Sequence, residues 1–126
     1  MTELADFLKQ QLGTGGDWNC STLAADWCVS LGYPDFAARW RAIVDPVECQ
    51  DVSAAAGGLV RLWEQGIGDK LQWADEPWQA GDIAVVGLAD LEAGAIFTGE
   101  RWALKLPRGL AFASVDQVEA ICGWRP

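Results

Sequence analysis

Four side chains of this sequence carry a thiol, Cys20, Cys28, Cys49 and Cys122, and none carries an imidazole. A cysteine thiolate is a strong nucleophile. Cutting an amide with it still needs a base for the thiol proton and an acid for the leaving amine. Histidine fills both roles in Cys–His sites. The absence of histidine excludes that chemistry within the chain and leaves only a base of another type or from another chain. No two cysteines stand as C-x-x-C, so neither a zinc ribbon nor a dithiol redox motif is indicated. A four-thiolate cluster is open geometrically but not favoured by the spacing. No metal or cofactor is expected, and the simplest expectation is free thiols, mostly buried.

Cys20 is the thiol whose placement suggests chemistry. Cys20, Leu23, Ala24, Trp27, Cys28 and Leu31 form a one-face stripe that predicts a helix from about Cys20 to Leu31, ended by Gly32. A thiol at a helix N-terminus feels unpaired N–H groups and the positive end of the helix dipole, and both favour the thiolate. The same stripe fits a small buried core thiol equally well. The loop before it, Gly13 to Asp17, is glycine-rich but has no Lys-Ser/Thr after it, so it is not a P-loop.

Around this helix the first half of the chain reads helical. Thr2 is expected to cap a helix carrying Leu4, Phe7, Leu8 and Leu12 on one face, closed by Gly13. Pro34 and Asp35 suit the first turn of a short helix through Phe36, Trp40 and Ile43, which Asp45-Pro46 breaks. A further helix is predicted over Ser53 to Gln65, although Gly57 and Gly58 inside it each cost about 1 kcal/mol relative to alanine. The second half changes period. Leu71 to Ala74, Ile83 to Val86, Ala93 to Thr98, Arg101 to Leu106 and Leu110 to Ala113 read as strands, with a hairpin at Thr98 to Arg101. Ser114 is expected to cap a last helical turn, Val115 to Ala120. Helices first and strands second predict an α+β fold, with N-terminal helices packed on a small C-terminal antiparallel sheet. No repeat, linker or composition shift divides residues 1–126, which read as one domain.

Composition narrows the function. The chain has 126 residues, 51% apolar and 21% charged, with a net charge of −9. That charge repels phosphate backbones and anionic headgroups, so nucleic acid and membrane surfaces are disfavoured as partners. No run approaches the roughly 20 apolar residues of a membrane span, and the N-terminus lacks the basic and apolar regions of a secretory signal. Synthesis in the cytoplasm without a signal peptide is the expectation. The eight tryptophans are expected mostly in the core, with one or two at a contact surface. Asp75-Glu76, between Trp73 and Trp78, reads as a solvated loop. Arg108 and Arg125 are too isolated to make an anion site.

Three local features occur in a telling order: Trp18-Asn19-Cys20-Ser21-Thr22-Leu23, then Gly81-Asp82-Ile83-Ala84-Val85-Val86, then Ala93-Gly94-Ala95-Ile96-Phe97-Thr98-Gly99. The order resembles the NlpC-type cysteine peptidases, small papain-like cell-wall hydrolases, and especially their short relatives in tail modules of bacteriophages and gene transfer agents. The resemblance implies a papain-like NlpC-type fold in which Cys20 matches the nucleophile and Asn19 stands where the family has aspartate. Gly81 and Asp82 match a pair that opens the sheet. The family's histidine, in a strand of the type His-Val-Ala-Ile-Tyr-Val-Gly, aligns with Ala93, which cannot accept a proton. The third polar residue of the family falls near Trp102 to Lys105, where only Lys105 is available. Glu92 is a candidate substitute base. Strand alternation turns it away from Cys20 if Ala93 faces the cysteine, and Asp90 is more remote.

The resemblance, without its histidine, implies a structural or assembly component of a phage-like tail tip. Such a component would be carried in a virion or phage-like particle, contact neighbouring tail proteins and have a degenerate peptidase fold. One alternative is an active peptidoglycan endopeptidase or amidase using Cys20 with an unorthodox or partner-supplied base. The other is a module that binds peptidoglycan without cutting it.

Overall fold

The computed structural model describes residues 3–12, 19, 21–106 and 109–126. Helices α1 (Leu4–Gln11), α2 (Thr22–Ser30), α3 (Pro46–Ala56) and α4 (Leu59–Ile67) precede strands β1 (Gln72–Ala74), β2 (Ile83–Leu88), β3 (Leu91–Phe97), β4 (Arg101–Leu106), β5 (Gly109–Ser114) and β6 (Glu119–Arg125). The fold is α+β, and the strands form one antiparallel sheet in the order β1-β6-β2-β3-β4-β5. The helix-then-sheet order follows the change in apolar period along the sequence.

Several local expectations are corrected. The helix expected over Phe36 to Ile43 is a run of turns. Ala38, Trp40 and Ile43 donate their N–H groups to carbonyls three residues back, of Asp35, Ala37 and Trp40. The carbonyls of Trp40, Arg41 and Ile43 are turned aside onto Asn19. Asp45-Pro46 does not simply end a helix. The Asp45 carboxylate accepts from the N–H groups of Val47 and Glu48, and Pro46 occupies the first turn of α3, where its missing N–H costs nothing.

The helix expected over Ser53 to Gln65 is two helices. Gly57 takes a left-handed φ of 98°. Gly58 and Gly57 return N–H bonds to Ser53 and Ala54, a glycine-dependent terminator. At the N-terminus, Leu12 is 63% exposed rather than part of the buried stripe. The expected caps Thr2 and Gly13 lie outside the described residues. The final helical turn is absent: one tight turn, with Gln117 N–H on the Ser114 carbonyl, leads straight into β6.

β6 decides the topology. It returns between β1 and β2, pairing with both. Alternation along the strands then separates two apolar clusters. Ile83, Val85, Ile96 and Trp124 pack with Leu23, Ala24, Trp27 and Cys28 of α2 and with Leu62 and Trp63 of α4. Ala84, Val86, Ala95, Phe97, Trp102 and Leu104 pack on the opposite face, which has no helical member among the described residues. Trp27, Trp40, Trp63, Trp102 and Trp124 are buried, whereas Trp73 is 62% exposed. Trp18 lies outside the described residues.

Candidate functional site

The entrance to α2 is built around one amide. Asn19 is buried at 4% exposure. Its side-chain oxygen accepts from the Ser21 N–H at 2.9 Å. Its side-chain nitrogen donates to the carbonyls of Trp40 at 2.9 Å and Ile43 at 3.1 Å, with Arg41 further off at 3.4 Å. The Asn19 backbone is also engaged: its N–H donates to Thr22 Oγ1, whose hydroxyl returns a bond to the Asn19 carbonyl. Only an amide can meet one donor with its oxygen and several acceptors with its nitrogen. Asn19 therefore ties the start of α2 to a segment more than twenty positions further along the chain.

Ser21 and Trp27 extend the anchoring. The Ser21 hydroxyl, fully buried, accepts from Trp63 Nε1 at 2.9 Å and so joins α2 to α4. Trp27 Nε1 donates to the Gly81 carbonyl at 2.9 Å and joins α2 to the start of the sheet. Gly81 has φ of 95°, and a Cβ there would stand 3.4 Å from the Trp27 ring. Arg41 spans Asp26 and Asp35, each at 2.7 Å.

Gly81 and Asp82 make the sheet-opening turn. Asp82 is 1% exposed and accepts both a forked pair of bonds from Arg125, each 2.8 Å, and one from the Gln79 N–H. The bonded groups fix the turn to the last strand. Arg125, read from sequence as isolated, is thus committed to Asp82. Position in sequence could not show this, because the partners are 43 residues apart.

Of the candidate catalytic positions, the structure places Ala93 and Glu92. Cys20 lies outside the described residues. Ala93 packs against the cluster of Val86, Ala95 and Phe97, on the sheet face away from α2. The side of β3 that meets α2 is the side of Ile96, shared by alternation with Gly94 and Glu92. Ala93 is not presented toward α2, and Glu92 is not turned to the opposite face; it is an exposed residue of the α2 side. The strand starts at Leu91, but what sets its faces is the register Ile83↔Ile96 and Val85↔Gly94.

The described thiols are not activated. Burial, with a smaller push from Asp35, raises the Cys28 thiol to about 12. Burial also pushes Cys49 up, helped by Asp45 and Glu48, and its thiol donates to the Ile43 carbonyl at 3.0 Å. Cys122 is pushed up by burial and Glu64, against a lowering bond from the Gly123 backbone. Among the described residues no three His, Cys, Asp or Glu side chains converge as a metal site, and no helix is long and apolar enough to cross a membrane.

The fold and this entrance define a small α+β domain whose helix α2 is pinned between a turn-rich segment and the sheet. The sequence profile of the family described as a domain of unknown function (DUF6950) matches residues 2–125, and the chain belongs to that family. No curated protein and no solved structure matches it.

Proposed function

We propose that the chain is a non-catalytic structural or assembly component of a phage-like tail tip, built on a degenerate NlpC-type fold. The observation that supports it best is the α2 entrance. The residue before the cysteine is consumed by buried structural hydrogen bonds, and the chain contains no imidazole to activate Cys20. The helix-then-sheet order and the Gly81-Asp82 turn support the papain-like reading, in which neighbouring tail proteins are the partners. Incubation with peptidoglycan tests the proposal: no peptide should be released. Release that disappears in Cys20→Ala would overturn it. Retention on peptidoglycan without release would favour the binding-module reading instead.

A second reading, hydrolysis by Cys20 with another base, draws on one observation, the position of Glu92 on the α2 side of β3. Thiol alkylation near neutral pH separates the two readings. Cys28, Cys49 and Cys122 all have raised pKa values, so a fast phase would report Cys20 and favour the enzyme. Uniformly slow alkylation supports the scaffold.

A further inference from the structure

The sheet is unevenly covered. Helix α2 packs over β2 and β3, while β5 lies at the sheet edge with no strand beyond it among the described residues. Between β5 and α1 runs a half-open groove of about 370 Å³. Leu8 and Leu12 line one wall and Leu110 and Phe112 the other. Leu12 and Phe112 remain 63% and 42% exposed. Large apolar side chains concentrated along one groove mark a binding surface more often than scattered ones do.

Charge identifies the occupant. The chain carries 18 acidic residues against 9 basic ones, yet among the described residues no acidic one lines this groove, and Lys9 and Arg101 both do. Neither is in an ion pair among the described residues. The Arg101 guanidinium lies 5.3 Å over the Phe112 ring. The groove is thus apolar in its walls and cationic at its rim, inside an otherwise acidic molecule. The edge strand supplies a third element: a row of backbone N–H and C=O groups with no strand partner among the described residues, which an extended chain can satisfy by adding as a strand.

We propose that this groove docks an extended peptide segment of a partner protein, added along β5, whose every second side chain, the set facing α1, is apolar with one or two acidic residues among them. Its apolar side chains fill the space between α1 and β5, and its carboxylates meet Lys9 and Arg101. A fatty acid would match the apolar walls and the cations but leave the strand edge unused. A second copy, itself carrying −9, would be repelled. The proposal is independent of whether Cys20 is catalytic.

The test is selection of binders from a random heptapeptide display library on the immobilised chain, followed by anisotropy titration of the best labelled peptide. The expected consensus places apolar residues and one or two Asp or Glu together on every second position. The double variant K9E/R101E, checked for an unchanged thermal melt, should bind at least about tenfold more weakly. N-methylation at alternate peptide backbone positions should abolish binding with every side chain kept. Failure to recover binders, a basic consensus, or indifference to either change overturns the proposal. So does saturable binding of dodecanoate without peptide binding, or a dimer in sedimentation that K9E/R101E disrupts.

Discussion

Replacing Asn19 by aspartate alters two hydrogens and one atom, yet the geometry makes it a severe change. The nitrogen that donates at 2.9 Å to the Trp40 carbonyl and at 3.1 Å to that of Ile43 becomes an oxygen facing two oxygens. Two net hydrogen bonds are lost, at about 1 kcal/mol each, and the introduced oxygen, buried without a donor, costs about 1–3 kcal/mol more, although the two carbonyls keep the Ile43 N–H and the Cys49 thiol as donors. The Ser21 N–H still finds an acceptor, which recovers a part. The sum is about 3–5 kcal/mol, or roughly 12–20 °C in melting temperature for a chain this size.

The loss depends on pH with a definite sign. Burial and the facing carbonyls raise the introduced carboxyl's pKa in the folded state above its unfolded value of about 3.9. The folded variant then binds more protons than the unfolded one between the two values, so its stability falls as pH rises through that window. Below about 3.9 the protonated acid can donate one bond, and the deficit relative to wild type should shrink. Urea denaturation of both proteins at pH 7 and at pH 4 measures this. A deficit under about 0.5 kcal/mol at pH 7, or one that does not shrink on acidification, would refute the assignment of Asn19 as the donor that pins α2.

Gly66→Ala should destabilise by about 2 kcal/mol although alanine favours helix by about 1 kcal/mol, because its Cβ would overlap the Phe36 carbonyl and stand 2.8 Å from the Trp40 ring; chemical denaturation checks it. Asp82→Asn should lower the melting temperature more than Arg125→Met, since the buried carboxylate accepts from Gln79 as well as from Arg125. Cys28 should resist iodoacetamide at pH 8 until the chain unfolds, which mass mapping in and out of denaturant will show. Its thiol ionises near 9 when unfolded and about 12 when folded, so its contribution to stability is complete below pH 9 and is lost as pH rises toward 12. Cys28→Ala should flatten that part of the alkaline unfolding profile.

Periodicity carried much of the fold. The stripe Leu23, Ala24, Trp27 and Cys28 is the buried face of α2, and the run from Ile83 to Val86 is a strand buried on both faces. The Thr98 to Arg101 hairpin closes as the local residues require, with Thr98 N–H on the Arg101 carbonyl at 2.8 Å. Where the reading failed, distant partners outweighed local preference. The turn run at Phe36 to Ala42 has its carbonyls drawn to Asn19, and the segment after Ser114 gains more from two strand neighbours than from a single helical turn.

The candidate site was legible in a different proportion. Gly81-Asp82 could be recognised as a structural turn because the pair is itself the turn. The role of Asn19 could not, since its acceptors lie 21 to 24 residues away, and no spacing rule reaches a loop whose conformation is fixed by the contact itself. An asparagine beside buried small polar residues, ahead of a helix, is the one signal that pointed toward it.

By itself, the sequence determined what this chain lacks and the order of its parts: no imidazole, a surplus of negative charge, helices before strands. Those follow from composition and from local period, which any conformation of the chain carries. Only the tertiary structure decided where β6 inserts, that Ala93 faces away from α2 while Glu92 shares its side, and that Lys9 and Arg101 meet across one groove. Each of these depends on strand register and long-range packing, where a shift of one residue exchanges the faces of a strand.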